Sequence, residues 1–193
     1  MGDTGTADRT EPDNRVPGAA VYLITGIQAA GKSTVAQALA QRLPRSAHVH
    51  GDVFRRFVIG GRAEMSEAPS TEALQQLELR HHLAASVADE YARAGFTAIV
   101  QDVVLGDLLP WMVDRIRTDP LYVIVLTPRP AAVAAREAQR AKKAYGTFTV
   151  EQLDGILHAE TQPIGLWLDT TDLTVDETVD VILDRAEPVR APS

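Results

Sequence analysis

GIQAAGKST, residues 26–34, follows the apolar run AVYLIT at 20–25 and leads into a helical pattern. It fits Gly-x-x-x-x-Gly-Lys-Ser/Thr, with Gly26, Gly31, Lys32 and Ser33 at the defining positions. Each position has a physical reason. Gly26 lets the strand turn sharply, and Gly31 removes a Cβ where the backbone must curl round a phosphate. The backbone N–H groups of Ala29, Ala30, Gly31, Lys32, Ser33 and Thr34 then share one concavity that suits an anion. The next helix starts near Lys32, so its unpaired N–H groups and its dipole face the same point. In such a loop the lysine reaches the β- and γ-phosphates and the Ser33 hydroxyl is placed for Mg²⁺. The context agrees. Residues 20–25 are short and apolar, and Val35, Leu39 and Leu43 fall on one helical face. A nucleoside triphosphate with Mg²⁺ is the expected ligand.

The chain has 193 residues, of which the polar ends 1–17 and 188–193 show no apolar period and are expected to be disordered tails. The remaining stretch, 18–187, is the size of one domain with one core. No apolar run approaches the roughly 18–20 residues of a membrane span, and no basic-then-apolar leader is present. There is no cysteine, which excludes disulfides, thiolate zinc sites and thiol catalysis, and a cytoplasmic protein is expected. A net charge of −7 argues against nucleic acid as a partner.

Short apolar runs at 20–26, 47–52, 97–103, 121–126 and 165–169 read as strands buried on both faces. Helical patterns lie between them. Leu74, Leu77, His81, Ala84, Ala88 and Tyr91 form one stripe; Thr149-x-x-Gln152 and Thr174-x-x-Glu177 read as capping boxes; Pro163 closes the helix before the last strand. This alternation predicts an α/β fold, a parallel sheet between two helical layers. Ligands of such sheets bind at the carboxyl ends of the strands, which picks out Asp52, Asp102 and Asp169.

HVHGDVFRRF, residues 48–57, places Asp52 after the second strand. A carboxylate there would accept the proton of an attacking hydroxyl, or would cap the next helix. Arg55 and Arg56 would hold a polar or anionic acceptor. IVQDVVLGD, residues 99–107, ends the third strand at Asp102, a position for a Mg²⁺ carboxylate, for an acceptor contact, or for a buried and satisfied Asp. REAQRAKKAYG, residues 136–146, puts Arg136 and Arg140 four apart on one helix face, where they would offset charge on a transferring phosphoryl group. Tyr145-Gly146 is a plausible hinge for a helical lid. Asp169 and Thr170 follow the last strand and would border the adenine. His81 lies on the apolar stripe and reads as a core residue. Trp111 and Trp167 read as packing residues, and no His cluster has transition-metal spacing.

The loop GIQAAGKST, the Asp of HGDVF, the strand AIVQDVVLGD, the basic RE-x-x-R-x-KKAYG segment and the late IGLWLDTT occur in that order. Over about residues 21–186 the chain thereby resembles the chloramphenicol phosphotransferase-like group of small P-loop kinases. The resemblance implies a three-layer fold with a five-stranded parallel sheet and a helical lid. It implies ATP and Mg²⁺ as cofactors, and transfer of the γ-phosphate to a hydroxyl of a small molecule. It makes Asp52 the candidate general base and places Arg136 and Arg140 in the lid. Residues 53–70 differ in length and character from the antibiotic kinase, so the reaction type carries over and the antibiotic does not. Two other readings stay open. A nucleotide kinase would use Arg55 or Arg56 to grip an acceptor phosphate, and a regulatory ATPase switch would release no phosphorylated product.

Overall fold

The computed structural model describes residues 19–138 and 148–190. Its elements follow in order: β1 (Val21–Gly26), α1 (Lys32–Arg42), β2 (Ser46–His50), α2 (Asp52–Phe57), α3 (Thr71–Arg93), β3 (Thr97–Gln101), α4 (Leu108–Arg115), β4 (Leu121–Leu126), α5 (Pro130–Ala138), α6 (Val150–Glu160), β5 (Leu166–Leu168), α7 (Val175–Arg185) and β6 (Pro188–Arg190). Five strands run parallel in the order β2-β3-β1-β4-β5. The expected five-stranded parallel sheet is therefore present. Its central strands are apolar on both faces: Leu23, Ile24, Ile99, Val100, Ile124 and Val125 are all inaccessible to solvent. Helices α1 and α7 pack together on one face, and α3 and α4 on the other. Burying each large aliphatic side chain contributes roughly 1.5–3 kcal/mol, so the sheet's centre is also the centre of stability.

Three boundaries depart from the sequence expectation. The second and third strands end at His50 and Gln101, so Asp52 and Asp102 lie just beyond them. The tail expected at 188–193 is not wholly disordered, because Pro188–Arg190 forms β6, antiparallel to β4. Arg190 anchors it. Its guanidinium donates to the carbonyls of Val113 (3.1 Å) and Ile116 and to Asp119 (3.2 Å). A six-residue polar tail has no apolar period to show this, since the anchor is one long-range arginine. The tail expected at 1–17 lies outside the described residues.

Helix α3 buries His81, Ala84 and Ala88 of the expected stripe but not its ends. Its buried residues are Ala73, His81, Ala84, Ala85, Ala88, Asp89 and Ala92, while Leu74 and Tyr91 are exposed. The alanines let the helix lie close against the sheet, and the larger side chains would not fit there. Asp89 is buried but satisfied: it accepts from the backbone N–H groups of Arg117 (3.1 Å) and Thr118 (3.0 Å) and from the Thr118 hydroxyl (2.8 Å). The capping boxes at Thr149 and Thr174 form as expected. Trp111 carries the Arg115 guanidinium 3.6 Å from its ring centroid, and Trp167 meets His158 at 5.9 Å; both are packing contacts.

His81 is wholly buried, as expected for the core, yet neither ring nitrogen has a hydrogen-bond partner. Burial, with the neighbouring Arg80 charge, pulls its pKa down to about 3. Asp102 Oδ2 is 3.7 Å from Nε2, but that carboxylate is already paired with Arg80. The folded pKa lies below the unfolded value of roughly 6.5, so protonation favours unfolding. The His81 contribution is complete above about pH 6.5 and is lost as pH falls toward the folded pKa. Urea midpoints at pH 7, 6 and 5 are expected to show stability falling by up to about 1.4 kcal/mol per pH unit. His81→Leu should flatten that slope; parallel slopes for the two proteins would remove His81 as the cause.

Candidate active site

The loop after β1 has the geometry its sequence requires. Gly26 sits at φ 137°, and a Cβ there would come 2.5 Å from the Leu126 carbonyl oxygen, so strand β4 itself demands glycine. Ala29 follows at φ 60°, a left-handed conformation unusual for a non-glycine residue. Gly31 is the N-cap of α1; no side chain caps that helix and no acidic residue sits in its first turn. The Ala30 N–H donates to the Ile27 carbonyl (3.2 Å) and the Thr34 N–H to that of Gly31 (3.1 Å), and the helix dipole is unopposed where a phosphate would bind. Lys32 is 8% exposed, and its ammonium donates to the carbonyls of Gly26 (3.0 Å) and Ile27 (2.7 Å). Ser33 and Thr34 are exposed at the mouth of the loop.

Two cavities meet this loop. The larger, of about 1130 Å³, is lined by Lys32 and Ser33, by Asp52, Arg55 and Arg56 of α2, by Arg80 of α3 and by Asp102. The smaller, of about 230 Å³, opens on Ala29, Ala30, Gly31 and Thr34 and on Arg136 and Thr170. The loop is shared by both, so a ligand gripped at Lys32 has space on two sides.

Asp52 is the first residue of α2. The N-cap is Gly51, with no side-chain cap, and Asp52 instead pairs with Arg56 one turn on, at 3.1 Å. The capping alternative for Asp52 therefore fails. Arg55 pairs with Glu64, whose carboxyl is held below its usual range chiefly by that hydrogen bond. Asp102 is 3% exposed and holds Arg80 in a two-pronged pair, with Nε donating to Oδ2 at 2.6 Å and Nη2 to Oδ1. Its Oδ1 also accepts from the Val103 N–H at 2.7 Å. The carboxylate packs on Gly51, where a Cβ would lie 2.0 Å from Oδ2. Asp102 thus abuts the turn that carries Asp52. Burial lowers Arg80 to about 10, which leaves it charged at neutral pH.

Arg80 is the functional residue that sequence reasoning missed. The available signal was a lone arginine beside the small, apolar side of a long helix. Arg136 lies on the other side of the loop. Nη1 donates to the Ala30 carbonyl at 3.3 Å and Nη2 to the Thr170 carbonyl at 2.9 Å, so it ties the loop to the segment after β5. Thr170 lines the smaller cavity with a buried hydroxyl that has no partner. Asp169 does not line it; its carboxylate accepts from the Thr171 N–H (2.8 Å) and hydroxyl and is held below its usual pKa by them. Arg140, Lys142, Lys143 and the hinge at Tyr145-Gly146 lie outside the described residues.

No curated protein matches the sequence. Among solved structures the chain is similar to an APS kinase from Mycobacterium tuberculosis in complex with AMPPNP and APS. The two share 20% identity, with 87% of this chain and 97% of that one covered, at a TM-score of 0.65. A sugar kinase from a Janibacter species shares 17% identity over 87% and 94% of the two chains, with a TM-score of 0.64. A tunicamycin resistance protein from Deinococcus radiodurans shares 17% identity over 91% and 100%, with a TM-score of 0.60. At these identities the likeness is one of fold. In sequence, residues 21–163 match the family described as AAA domain. That match takes in the loop, both strand-end aspartates and the sheet order around them, and the chain belongs to the AAA domain family, with the fold of the small P-loop kinases.

Proposed function

We propose that this chain is an ATP-dependent phosphotransferase that moves the γ-phosphate to a hydroxyl of a small molecule. One observation carries the reading: Lys32, Ser33 and Asp52 open on a single cavity large enough for a triphosphate end and an acceptor together. The smaller cavity behind the loop is the place for the adenine, with the Thr170 hydroxyl as its polar contact. Loop N–H groups and Lys32 would hold the phosphates. Asp52 would accept the proton as the acceptor oxygen attacks the γ-phosphorus and the bond to ADP breaks. Arg136, and Arg140 outside the described residues, would stabilise charge on the transferring group.

Mg²⁺ fits the donor set. Among the described residues no group of three His, Cys, Asp or Glu side chains could hold a metal alone. Mg²⁺ in such sites keeps waters and phosphate oxygens and takes one or two protein ligands, and the exposed Ser33 hydroxyl is one. Held through the Ser33 hydroxyl, it would offset the charge of the phosphates. Asp102 would serve the metal only after parting from Arg80, so we assign it to the acceptor wall.

The test uses γ-labelled ATP with a library of metabolites and antibiotics, and Lys32→Ala as control. Label in a small molecule that disappears with Lys32→Ala is the expected result. Tight ATP binding with no labelled product would give the site to a regulatory ATPase instead.

A further inference from the structure

We infer that the acceptor is an uncharged amphiphile, a hydroxyl-bearing head joined to an apolar body; this rests on the kinase reading above. The first observation is charge. Apart from Lys32, which faces the phosphates, the larger cavity is lined by three guanidiniums and three carboxylates. Each guanidinium already holds a carboxylate: Arg55 holds Glu64, which Arg62 shares at 3.2 Å, Arg56 holds Asp52, and Arg80 holds Asp102. An anionic acceptor would have to share a guanidinium with a carboxylate beside it. The Arg80 pair is buried, with side-chain exposures of 15% and 2%, so its partner is not exchanged cheaply. Displacing Asp52 from Arg56 would bring a second anion beside the proposed base. The wall suits a neutral ligand.

The second observation is apolar surface. Phe54, Phe148 and Ile156 line the cavity half-buried, and Phe57, Leu79 and Leu83 line it at 68%, 49% and 37% exposure. Three of the seven exposed large hydrophobics among the described residues, Phe57, Leu79 and Leu83, thus line this one cavity.

The third is a fixed roof. Gln76 accepts from the Ala63 N–H (3.0 Å) and donates to the Gly61 carbonyl (2.8 Å), and Gln152 of α6 donates to Glu67 (2.7 Å). The loop between α2 and α3 is thereby tied to helices on both sides of the cavity. The apolar wall is built in place, and an apolar body laid along it would exclude water from Asp52.

The probes are glucose and its methyl, butyl, hexyl and octyl β-glucosides, kept below micelle concentrations, with gluconate and AMP as anionic comparators. Affinity is measured by calorimetry with AMPPNP and Mg²⁺ present. Transfer is measured in parallel with γ-labelled ATP and the Lys32→Ala control. Affinity should rise about two- to fourfold per added methylene until the wall ends, and both anions should bind more weakly than the octyl glucoside. Leu79→Asp and Leu83→Asp should each flatten the slope. A flat series, no binding at all, or preference for gluconate or AMP overturns the proposal. Labelled product without a chain-length slope would keep the kinase and discard the amphiphile. A slope without label would keep the recognition and discard the kinase.

Discussion

Asp52→Asn is expected to slow phosphoryl transfer by about 10²–10⁴-fold, or roughly 3–5 kcal/mol of barrier, with the KM for ATP near wild type. Asparagine keeps the size and one acceptor oxygen but takes no proton at neutral pH. The substitution leaves the backbone of the phosphate loop intact, because Asp52 stands on α2 and pairs with Arg56 of the same helix. It also costs little stability. The one ion pair lost is to Arg56, with both side chains half or more exposed, and such pairs contribute about 0–1 kcal/mol. Single-turnover rates with the labelled acceptor, beside a thermal melt, therefore separate chemistry from folding. Turnover within threefold of wild type would leave Asp52 with an ion pair as its only role.

How far the sequence reveals this fold depends on the range of the interactions involved. GIQAAGKST announces its turn locally, because Gly26 and Gly31 answer constraints within the loop and from the adjoining strand. The five apolar runs announce a buried parallel sheet, because both faces of each strand are covered. The stripe on α3 holds at its centre, where His81, Ala84 and Ala88 are buried, and fails at Leu74 and Tyr91, because close packing on the sheet selects the alanines at 73, 85 and 92 instead. Strand β6 was hidden because Arg190 reaches carbonyls some 70 residues away, which no local period records.

The site divides in the same way. Lys32, Ser33 and Asp52 could be named from spacing and strand ends, and they line one cavity. Arg55 and Arg56 were named too; Arg56 pairs with Asp52 one turn back, but the partner of Arg55 was not visible, because Glu64 lies nine residues on in a loop with no period. Asp169 and Thr170 were given the same role, and the turn made with Thr171 separates them, facing one into the smaller cavity and leaving the other out. Arg80 was passed over because a helix places it by rotation, and a one-residue error in phase moves an arginine from solvent to the cavity wall.

Arg80→Met should therefore lower stability by about 3–5 kcal/mol, a fall in melting temperature on the order of 10 °C for a domain of this size. The loss comes from Asp102, whose carboxylate would stay 2% exposed with the Val103 N–H as its remaining close donor. His81 stands 3.7 Å away and is held neutral in the native protein by burial and by the Arg80 charge. The carboxylate fills the space that a Cβ on Gly51 would take, 2.0 Å from Oδ2. Neutralising it in place is the way to recover stability. The double variant Arg80→Met, Asp102→Asn should be more stable than Arg80→Met alone, because no buried charge is left and the Val103 N–H keeps its acceptor. If Arg80→Met alone melts within about 2 °C of wild type, the carboxylate is reached by water, and the pair does not hold the turn that carries Asp52.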